Sequence, residues 1–508
     1  MSAQRPKPTT RTAPGDLLAS RGLPTILWNN DGDDLAWPAY PEHHADGLWC
    51  AGTPGSRHDD PIPLPRIHSL ADYLAARIGP LAKTKTQGLS YCGNFGVPVW
   101  DLKRDQIAAL GDDPLQPILQ FWKQDGRTFF FSMRMNDSHR AFRNLPHDWS
   151  DFCRTHRHLF LKPPTDDEWE TQFVPWLEGK GKQPAKSYPA LLAFDYSRAE
   201  VRTYYLDTLR EACCRYDLDG VEFDWLRFLF LFREGEVNAA TMTDFIQEAR
   251  AIVDEAAKRR GHPVLLVSRV PDTPEEALAR GLDVKAWLKA GTLDAIIAGR
   301  GNNFSSCPLE RWVALAHCHG VPVYGALLRT LYLGIPRFGS PETLRGAIAT
   351  LWDKGADGLY FFNFVRRDEM PLLDEFGDRA RLARLPKEYF LEPGSANDLE
   401  PSSGPLPLAL APGTTATASL FVADDPAQAR DVSLEMRFTG AFEPPEVTLN
   451  RHPIAGLVPR HDASGLTLTL ASAELRQALK RGVNEFSFTL AAGPIGTMLT
   501  ALSVRVAP

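Results

Sequence analysis

Three features are missing from this 508-residue sequence, and each absence narrows what the chain can be. No apolar run approaches the roughly 20 residues that a membrane-spanning helix needs, so we expect no membrane partner. Positive charge is not in excess, because the net formal charge is −7, and we therefore expect no nucleic-acid partner. The seven cysteines are odd in number and lack CxxC spacing, which predicts reduced thiols and a cytoplasmic protein.

The composition is that of an ordinary globular protein, with 44% hydrophobic and 23% charged residues. This length allows two or three domains. Residues 1–20 contain basic side chains without an apolar segment behind them, so we expect a disordered tail rather than a signal peptide. The sequence does not determine the oligomeric state, and a homo-oligomer is one of the possible states.

A repeated pattern between residues 190 and 364 predicts the main fold. A helical segment and a short apolar strand, usually joined at a glycine, follow one another five times, and three further strands precede them. Eight strands joined by helices predict a (β/α)8 TIM barrel of the α/β class over residues 21–390. An open doubly wound sheet is the alternative, but the GxGxxG turn that would favour it is missing. The predicted strands lie at 24–30, 88–94, 127–136, 219–225, 263–270, 293–299, 321–328 and 356–364.

Polar residues predict where several helices of this region begin. Ser197 and Glu200 have the spacing of a capping box. Thr273, Asp283 and Ser340 each precede a helical segment and are expected to be N-cap residues.

The sequence changes character after residue 390. A stretch rich in Pro, Gly and Ser is typical of a linker. Six short segments of alternating polar and apolar residues follow it, separated by turn residues. This pattern predicts a β-sandwich accessory domain within residues 391–508.

Two connections of the predicted barrel, residues 31–87 and 137–190, are longer than simple loops. Each follows the carboxyl end of a strand, where barrels of this kind build their active sites. The second contains Trp149, Trp169 and Trp176. These tryptophans fit equally well as the core of the insertion or as platforms for a sugar ring.

The fourth predicted strand carries two acids inside an apolar run, YDLDGVEFDWLRFLF (216–230). Alternate side chains of a strand share a face, so Glu222 and Asp224 point one way while Val221, Phe223 and Trp225 point the other. The outer face of a barrel packs against helices, so we expect both acids to face the interior. Asp224 lies nearer the carboxyl end of the strand, and Glu222 lies one layer deeper.

Other strand ends contribute polar side chains to the same predicted rim. Carboxylates and amides hydrogen-bond sugar hydroxyls, and a pair of carboxyl groups can cleave a glycosidic bond. We therefore expect a carbohydrate substrate. The predicted substrate-binding residues are Asn29, Asp31, Arg134, Asn136, Asp137, His139, Arg269, Tyr324 and Asn363.

The segment DGVEFDWLRF resembles the strand-four signature of the glycosyl-hydrolase-like family 10 barrels, approximately DG-[IV]-x-[FL]-D-x-x-R-[FY]. The matching residues are Asp219, Gly220, Asp224, Arg227 and Phe228. The resemblance implies a glycoside hydrolase with a TIM-barrel domain. Family 18 chitinases differ, because Leu226 stands where they carry their catalytic glutamate.

These residues suggest hydrolysis by two carboxyl groups. We expect Asp224 to be the nucleophile or base, and either Glu222 or Asp272 to protonate the leaving oxygen. A catalytically inactive glycan-binding barrel and a transglycosylase are the alternatives. The acidic run of Asp31, Asp33 and Asp34 is typical of a solvated turn, and we expect neither a metal nor another cofactor.

Overall fold

The structure is a computed structural model, and a defined part of the chain is described here. That part comprises residues 16–30, 69–94, 113–138, 141, 149, 151–185, 189–226, 228–301, 305–328, 340–362, 364, 367–395, 402–440, 444–463, 465–471, 473–491 and 496–508.

Eight strands form a closed barrel in sequence order, and every pair with a defined register is parallel. The predicted barrel is thereby confirmed, and the open doubly wound sheet is excluded. Each predicted strand has its counterpart, shortened by a few residues in most cases. The strands are β1 (Ile26–Asn30), β2 (Gly88–Asn94), β3 (Thr128–Arg134), β4 (Gly220–Asp224), β5 (Leu265–Val270), β6 (Ala295–Ala298), β7 (Val323–Leu328) and β8 (Gly358–Phe362).

Helices connect the strands, and the longest follow β3 and β4. Ala199–Arg215 leads into β4, and Ala239–Arg260 leads into β5 and ends at Gly261 with φ +80°. The other α-helices are Asp16–Ala19, Leu70–Tyr73, Gly79–Ala82, Leu115–Lys123, Asp151–Thr155, Asp166–Glu168, Val174–Leu177, Pro189–Leu192, Pro274–Ala279, Val284–Ala290, Leu309–His317, Pro341–Asp353, Leu373–Phe376, Arg379–Leu382 and Ala473–Ala478. Leu74–Ile78 and Trp169–Phe173 are π-helical, and Arg157–Leu159, Met370–Leu372 and Pro426–Gln428 are 3-10 turns.

Three of the four predicted helix starts are confirmed. The side chains of Thr273, Asp283 and Ser340 each accept a hydrogen bond from a backbone N–H three residues later. The prediction for Ser197 is wrong, because the helix begins at Ala199 without a side-chain cap. The backbone N–H of Ser197 instead donates to Asp195 Oδ1 at 3.0 Å.

The C-terminal strands form two larger antiparallel sheets, as expected for a sandwich. The strands are β9 (Lys387–Phe390), β10 (Gly394–Ser395), β11 (Ser402–Ser403), β12 (Leu408–Ala409), β13 (Thr415–Val422), β14 (Asp431–Thr439), β15 (Glu446–Leu449), β16 (His452–Pro453), β17 (Val458–Asp462), β18 (Gly465–Leu470), β19 (Gly482–Thr489) and β20 (Met498–Ala507). One sheet has the order β12-β20-β14-β18-β17, with β9 pairing β20, and the other has the order β13-β19-β15-β16. The rings of Phe438 and Phe488, one from each sheet, meet at 6.0 Å in the core.

The chain divides into two compact units, and each unit is made of three separate segments of the sequence. The first contains Met1–Arg300, Leu309–Ala326 and Ala356–Met370, and the second contains Gly301–Pro308, Leu327–Gly355 and Pro371–Pro508. The domain limits expected from the sequence remain a prediction. Among the described helices, none is both long enough and apolar enough to cross a membrane.

Candidate active site

The side chains of β4 alternate between the barrel interior and the surrounding helices. Phe223 stacks on Phe245 of the helix Ala239–Arg260 with 5.9 Å between ring centroids, and Trp225 lies 6.4 Å from the ring of Trp287. These contacts place the apolar set on the outer face. Glu222 and Asp224 therefore face the interior, where both are almost completely buried.

Glu222 is surrounded by hydrogen-bond donors from three other strands. The Tyr360 hydroxyl of β8 donates to Oε1 at 2.7 Å, and Asn29 Nδ2 of β1 lies 3.4 Å from Oε2. The Ser90 hydroxyl of β2 also donates to Oε2. Contacts with β1, β2 and β8 are reachable from β4 only across the barrel interior. They fix the carboxyl group in one position.

Burial and a neighbouring acid shift the ionisation of Glu222. Desolvation raises its pKa first, and the charge of Asp224 raises it further, to about 7. The hydrogen bonds from Ser90 and Tyr360 and the charge of Arg269 act in the opposite direction but are outweighed. The direction of this shift favours the protonated form of Glu222.

Asp224, the last residue of β4, has cationic neighbours instead. Arg269 Nη1 of β5 donates to its Oδ2 at 3.3 Å, and Arg134 Nε of β3 lies 3.9 Å from the same oxygen. The other oxygen, Oδ1, accepts the backbone N–H of Leu226 at 3.0 Å. Two guanidinium groups thus compensate the negative charge in a site where an unpaired carboxylate would be costly.

The two arginines share an aromatic neighbour, and Arg134 also binds a second acid. The Phe362 ring of β8 lies 4.3 Å from the guanidinium carbon of Arg269 and 5.3 Å from that of Arg134. Arg134 Nη1 also donates to Asp137 Oδ2 at 3.0 Å. The predicted residues Arg134, Asp137, Asp224 and Arg269 therefore form one cluster at the carboxyl ends of β3, β4 and β5.

Asn136 lies just beyond β3, and its amide is occupied by backbone groups. Oδ1 accepts the N–H of Phe194 at 2.9 Å, while Nδ2 donates to the carbonyls of Phe194 and Phe230. The side chain thus joins the segment before the helix Ala199–Arg215 to the segment after β4. Its predicted contact with substrate remains a prediction.

Tyr324 occupies a different position from the one expected. It is the second residue of β7 rather than a late one, and its hydroxyl donates to the carbonyl of Pro24 at 2.5 Å. Pro24 precedes β1, so this hydroxyl lies at the amino-terminal end of the strands. The expectation that Tyr324 sits late in its strand is therefore wrong.

Asp272 follows β5 and is engaged by Arg300. Its Oδ1 accepts the backbone N–H of Arg300 at 2.9 Å, and its Oδ2 lies 3.2 Å from Nη1 of the same residue. Glu276 Oε2 accepts from that Nη1 at 3.0 Å. The structure thus places Asp272 in a loop-stabilising ion pair.

Several predicted residues cannot be placed. Asp31, His139 and Asn363 lie outside the described residues, as does Arg227 of the strand-four signature. In the parts of the chain that are described, no three His, Cys, Asp or Glu side chains are grouped as metal ligands would be.

Three interior residues were not anticipated from the sequence. Ser90 and Tyr360 bind Glu222 directly, and Ser132 pairs with Glu222 in the strand register and lies 3.4 Å from Asn29 Nδ2. The alternation of in-facing and out-facing side chains along β2, β3 and β8 is the sequence signal for these three positions. The bonds of Ser90 and Tyr360 to Glu222 depend on closure of the barrel, which spacing alone does not give.

The tryptophans of the second long insertion form its core. Trp149 packs against Trp169, Phe173 and Trp176 with ring centroids 5.6–6.3 Å apart, and all three tryptophans are buried. Of the two roles open from the sequence, the structure shows the packing role.

Comparisons with known proteins give structural similarities at low identity. An Anoxybacillus alpha-amylase matches with 13% identity and a TM-score of 0.39, covering 93% of this chain and 99% of the amylase. The GH36 alpha-galactosidase AgaB from Geobacillus stearothermophilus matches with 13% identity and a TM-score of 0.38, covering 96% and 56% of the two chains. An alpha-amylase from H. orenii gives 12% identity and a TM-score of 0.37, covering 92% and 99%.

At these TM-scores the similarities carry no argument about activity. No family model matches the chain, and no curated protein matches it. The likeness to the glycosyl-hydrolase-like family 10 barrels therefore remains a resemblance of one strand motif.

Proposed function

We propose that the chain is a glycoside hydrolase that cleaves an O-glycosidic bond of an oligo- or polysaccharide with Asp224 and Glu222. The observation that carries the proposal is the contrast between these two in-facing carboxyl groups. Asp224 is paired with two guanidinium groups, whereas burial raises the pKa of Glu222 to about 7. One charged and one protonated carboxyl group are what acid–base cleavage of a glycosidic bond requires.

The positions along β4 suggest the division of roles. Asp224 ends the strand at the face where barrel enzymes bind their substrates, so we assign it as the nucleophile or general base. Glu222 supplies the proton that the leaving sugar oxygen takes up as the C–O bond breaks. If Asp224 is the nucleophile, it bonds to the anomeric carbon as the leaving group departs, and water then displaces it and gives its second proton to Glu222. If Asp224 is the general base, it takes the second proton of the water that attacks the anomeric carbon. Asp272 is less suited to donate this proton, because both of its oxygens bind Arg300.

Aryl glycosides with leaving groups of different acidity test these roles. Removing a general acid slows cleavage of poor leaving groups far more than that of good ones, since a good leaving group needs no proton. We expect Glu222→Gln to lose about 100-fold or more in kcat/KM on poor leaving groups and at most a few-fold on activated ones. Asp224→Asn should lose activity on both. A Glu222→Gln loss that is independent of the leaving group contradicts its role as the acid.

Complete burial of Glu222 favours one alternative, a barrel that binds glycan without cleaving it. Both of its oxygens accept hydrogen bonds, as they would in a purely structural network. Retention of oligosaccharides by the wild-type protein without release of a reducing end would support this alternative. Products larger than the substrate would identify a transglycosylase.

A further inference from the structure

The structure assigns Asp272 as a positioning residue that acts on Asp224 through Arg300 and Arg269. We propose that it holds the backbone of Arg300, so that the Arg300 carbonyl fixes the guanidinium group that binds Asp224. The kinetic test of this inference rests on the proposed function of Asp224. The thermal-unfolding test does not depend on that function.

The first step is the bent backbone that follows β6. Arg300 stands between Gly299 and Gly301, which adopt φ of +95° and +85°. This left-handed backbone is readily accessible to glycine only, so the sequence GRG allows a bend on each side of Arg300 directly after the strand. Holding Arg300 between these two bends sets the direction of its peptide groups.

The second step is the hold on Arg300. A single carboxylate, that of Asp272, accepts both the backbone N–H at 2.9 Å and a side-chain N–H at 3.2 Å of this residue. Arg300 is nine-tenths buried, and Glu276 binds its guanidinium group as well. Contacts to the main chain and the side chain together fix the orientation of the residue and of the carbonyl that follows it.

The third step leads to the catalytic carboxylate. The carbonyl of Arg300 accepts Arg269 Nη2 at 3.1 Å, and Nη1 of the same guanidinium group donates to Asp224 at 3.3 Å. A guanidinium group is planar and rigid, so fixing one nitrogen restricts the position of the other. Arg269 is 2% exposed and stacks on Phe362, which leaves it little freedom to compensate if the carbonyl moves.

The test compares Asp272→Ala with Asp272→Asn and with the matched control Glu276→Gln. The alanine variant loses both contacts to Arg300, whereas asparagine keeps an oxygen that can accept the backbone N–H. The control removes the other carboxylate partner of the Arg300 side chain and leaves its backbone contact intact.

On an activated aryl glycoside, a loosened Arg269 holds the carboxylate of Asp224 less precisely. Asp272→Ala should therefore lose about tenfold in kcat/KM, because a misplaced carboxylate slows the reaction. Asp272→Asn should return most of this loss, and Glu276→Gln should match wild type. A loss that Asp272→Asn does not return, or an equal loss in the control, overturns the proposal.

A thermal-unfolding cycle decides the question without any activity. The fall in midpoint caused by Asp272→Ala should be smaller in an Asp224→Asn background, because the contact being supported is already weakened there. Midpoint changes that simply add overturn the proposal even if the protein is an active glycosidase. Non-additive changes in a protein without turnover support the positioning and reject only the proposed function.

Discussion

Glu222 and Asp224 lie two residues apart on one strand, yet their surroundings favour opposite charge states. Glu222 meets two hydroxyl groups and an amide, which do not carry charge, whereas Asp224 meets two guanidinium groups. The alternation of β4 predicted that both would face inward. The partners of Glu222 could not be predicted, because they come from three other strands that only the closed barrel brings together.

The raised pKa of Glu222 predicts a specific effect on stability. The folded protein retains this proton up to about pH 7, whereas the unfolded chain releases it near the ordinary value of 4.5. The free energy of unfolding should therefore fall as the pH rises through this window, by on the order of 3 kcal/mol from this group. Glu222→Gln cannot titrate, so denaturant unfolding at about pH 5 and about pH 8 should show a smaller decline.

Glu392→Gln serves as the comparison, since burial also raises the pKa of Glu392 to about 7 and this residue belongs to the second unit. Its replacement should remove a separate part of the same decline. An unchanged pH dependence in Glu222→Gln would show that Glu222 is already ionised in the folded protein near pH 5.

At the scale of elements, the sequence predicted helix starts correctly where a single side chain caps the helix that follows it. Thr273, Asp283 and Ser340 cap the helices that follow them, because an N-cap needs only a short polar side chain beside free backbone N–H groups. The prediction for Ser197 was wrong because the helix begins at Ala199, two residues later, with Arg198 at the N-cap position. Strand β17 was missed since all of its residues are exposed, which leaves no alternation to detect.

Gly346 shows a contact that no sequence pattern reveals. It lies in the helix Pro341–Asp353, where a Cβ atom would come within 2.2 Å of the backbone oxygen of Glu388 in β9. Alanine normally stabilises a helix interior relative to glycine by about 1 kcal/mol. Here we expect Gly346→Ala to destabilise the protein by about 1–3 kcal/mol, measured by denaturant unfolding, because the backbone must move apart.

Ala251→Gly, at an exposed position of the helix Ala239–Arg260, is the control for intrinsic propensity. It should cost about 1 kcal/mol through propensity alone. A gain in stability for Gly346→Ala would mean that the helix and β9 are not in close contact.

At the scale of the whole molecule, the sequence patterns predicted a barrel followed by antiparallel sheets. Helix–strand alternation gave the barrel, and short alternating segments gave the antiparallel sheets. Composition could not show which elements associate. The stretch rich in Pro, Gly and Ser begins after residue 390 and therefore follows β9. Nevertheless β9 pairs with β20, and both strands belong to the second unit together with the helix Pro341–Asp353.

The most direct test of the account is the pH profile of kcat/KM on an aryl glycoside with a poor leaving group, for wild type and Glu222→Gln. A proton held by Glu222 predicts a basic limb near pH 7 in wild type that disappears from the residual activity of Glu222→Gln. A basic limb that survives in Glu222→Gln, or a wild-type protein that cleaves none of a broad panel of glycosides, would contradict it.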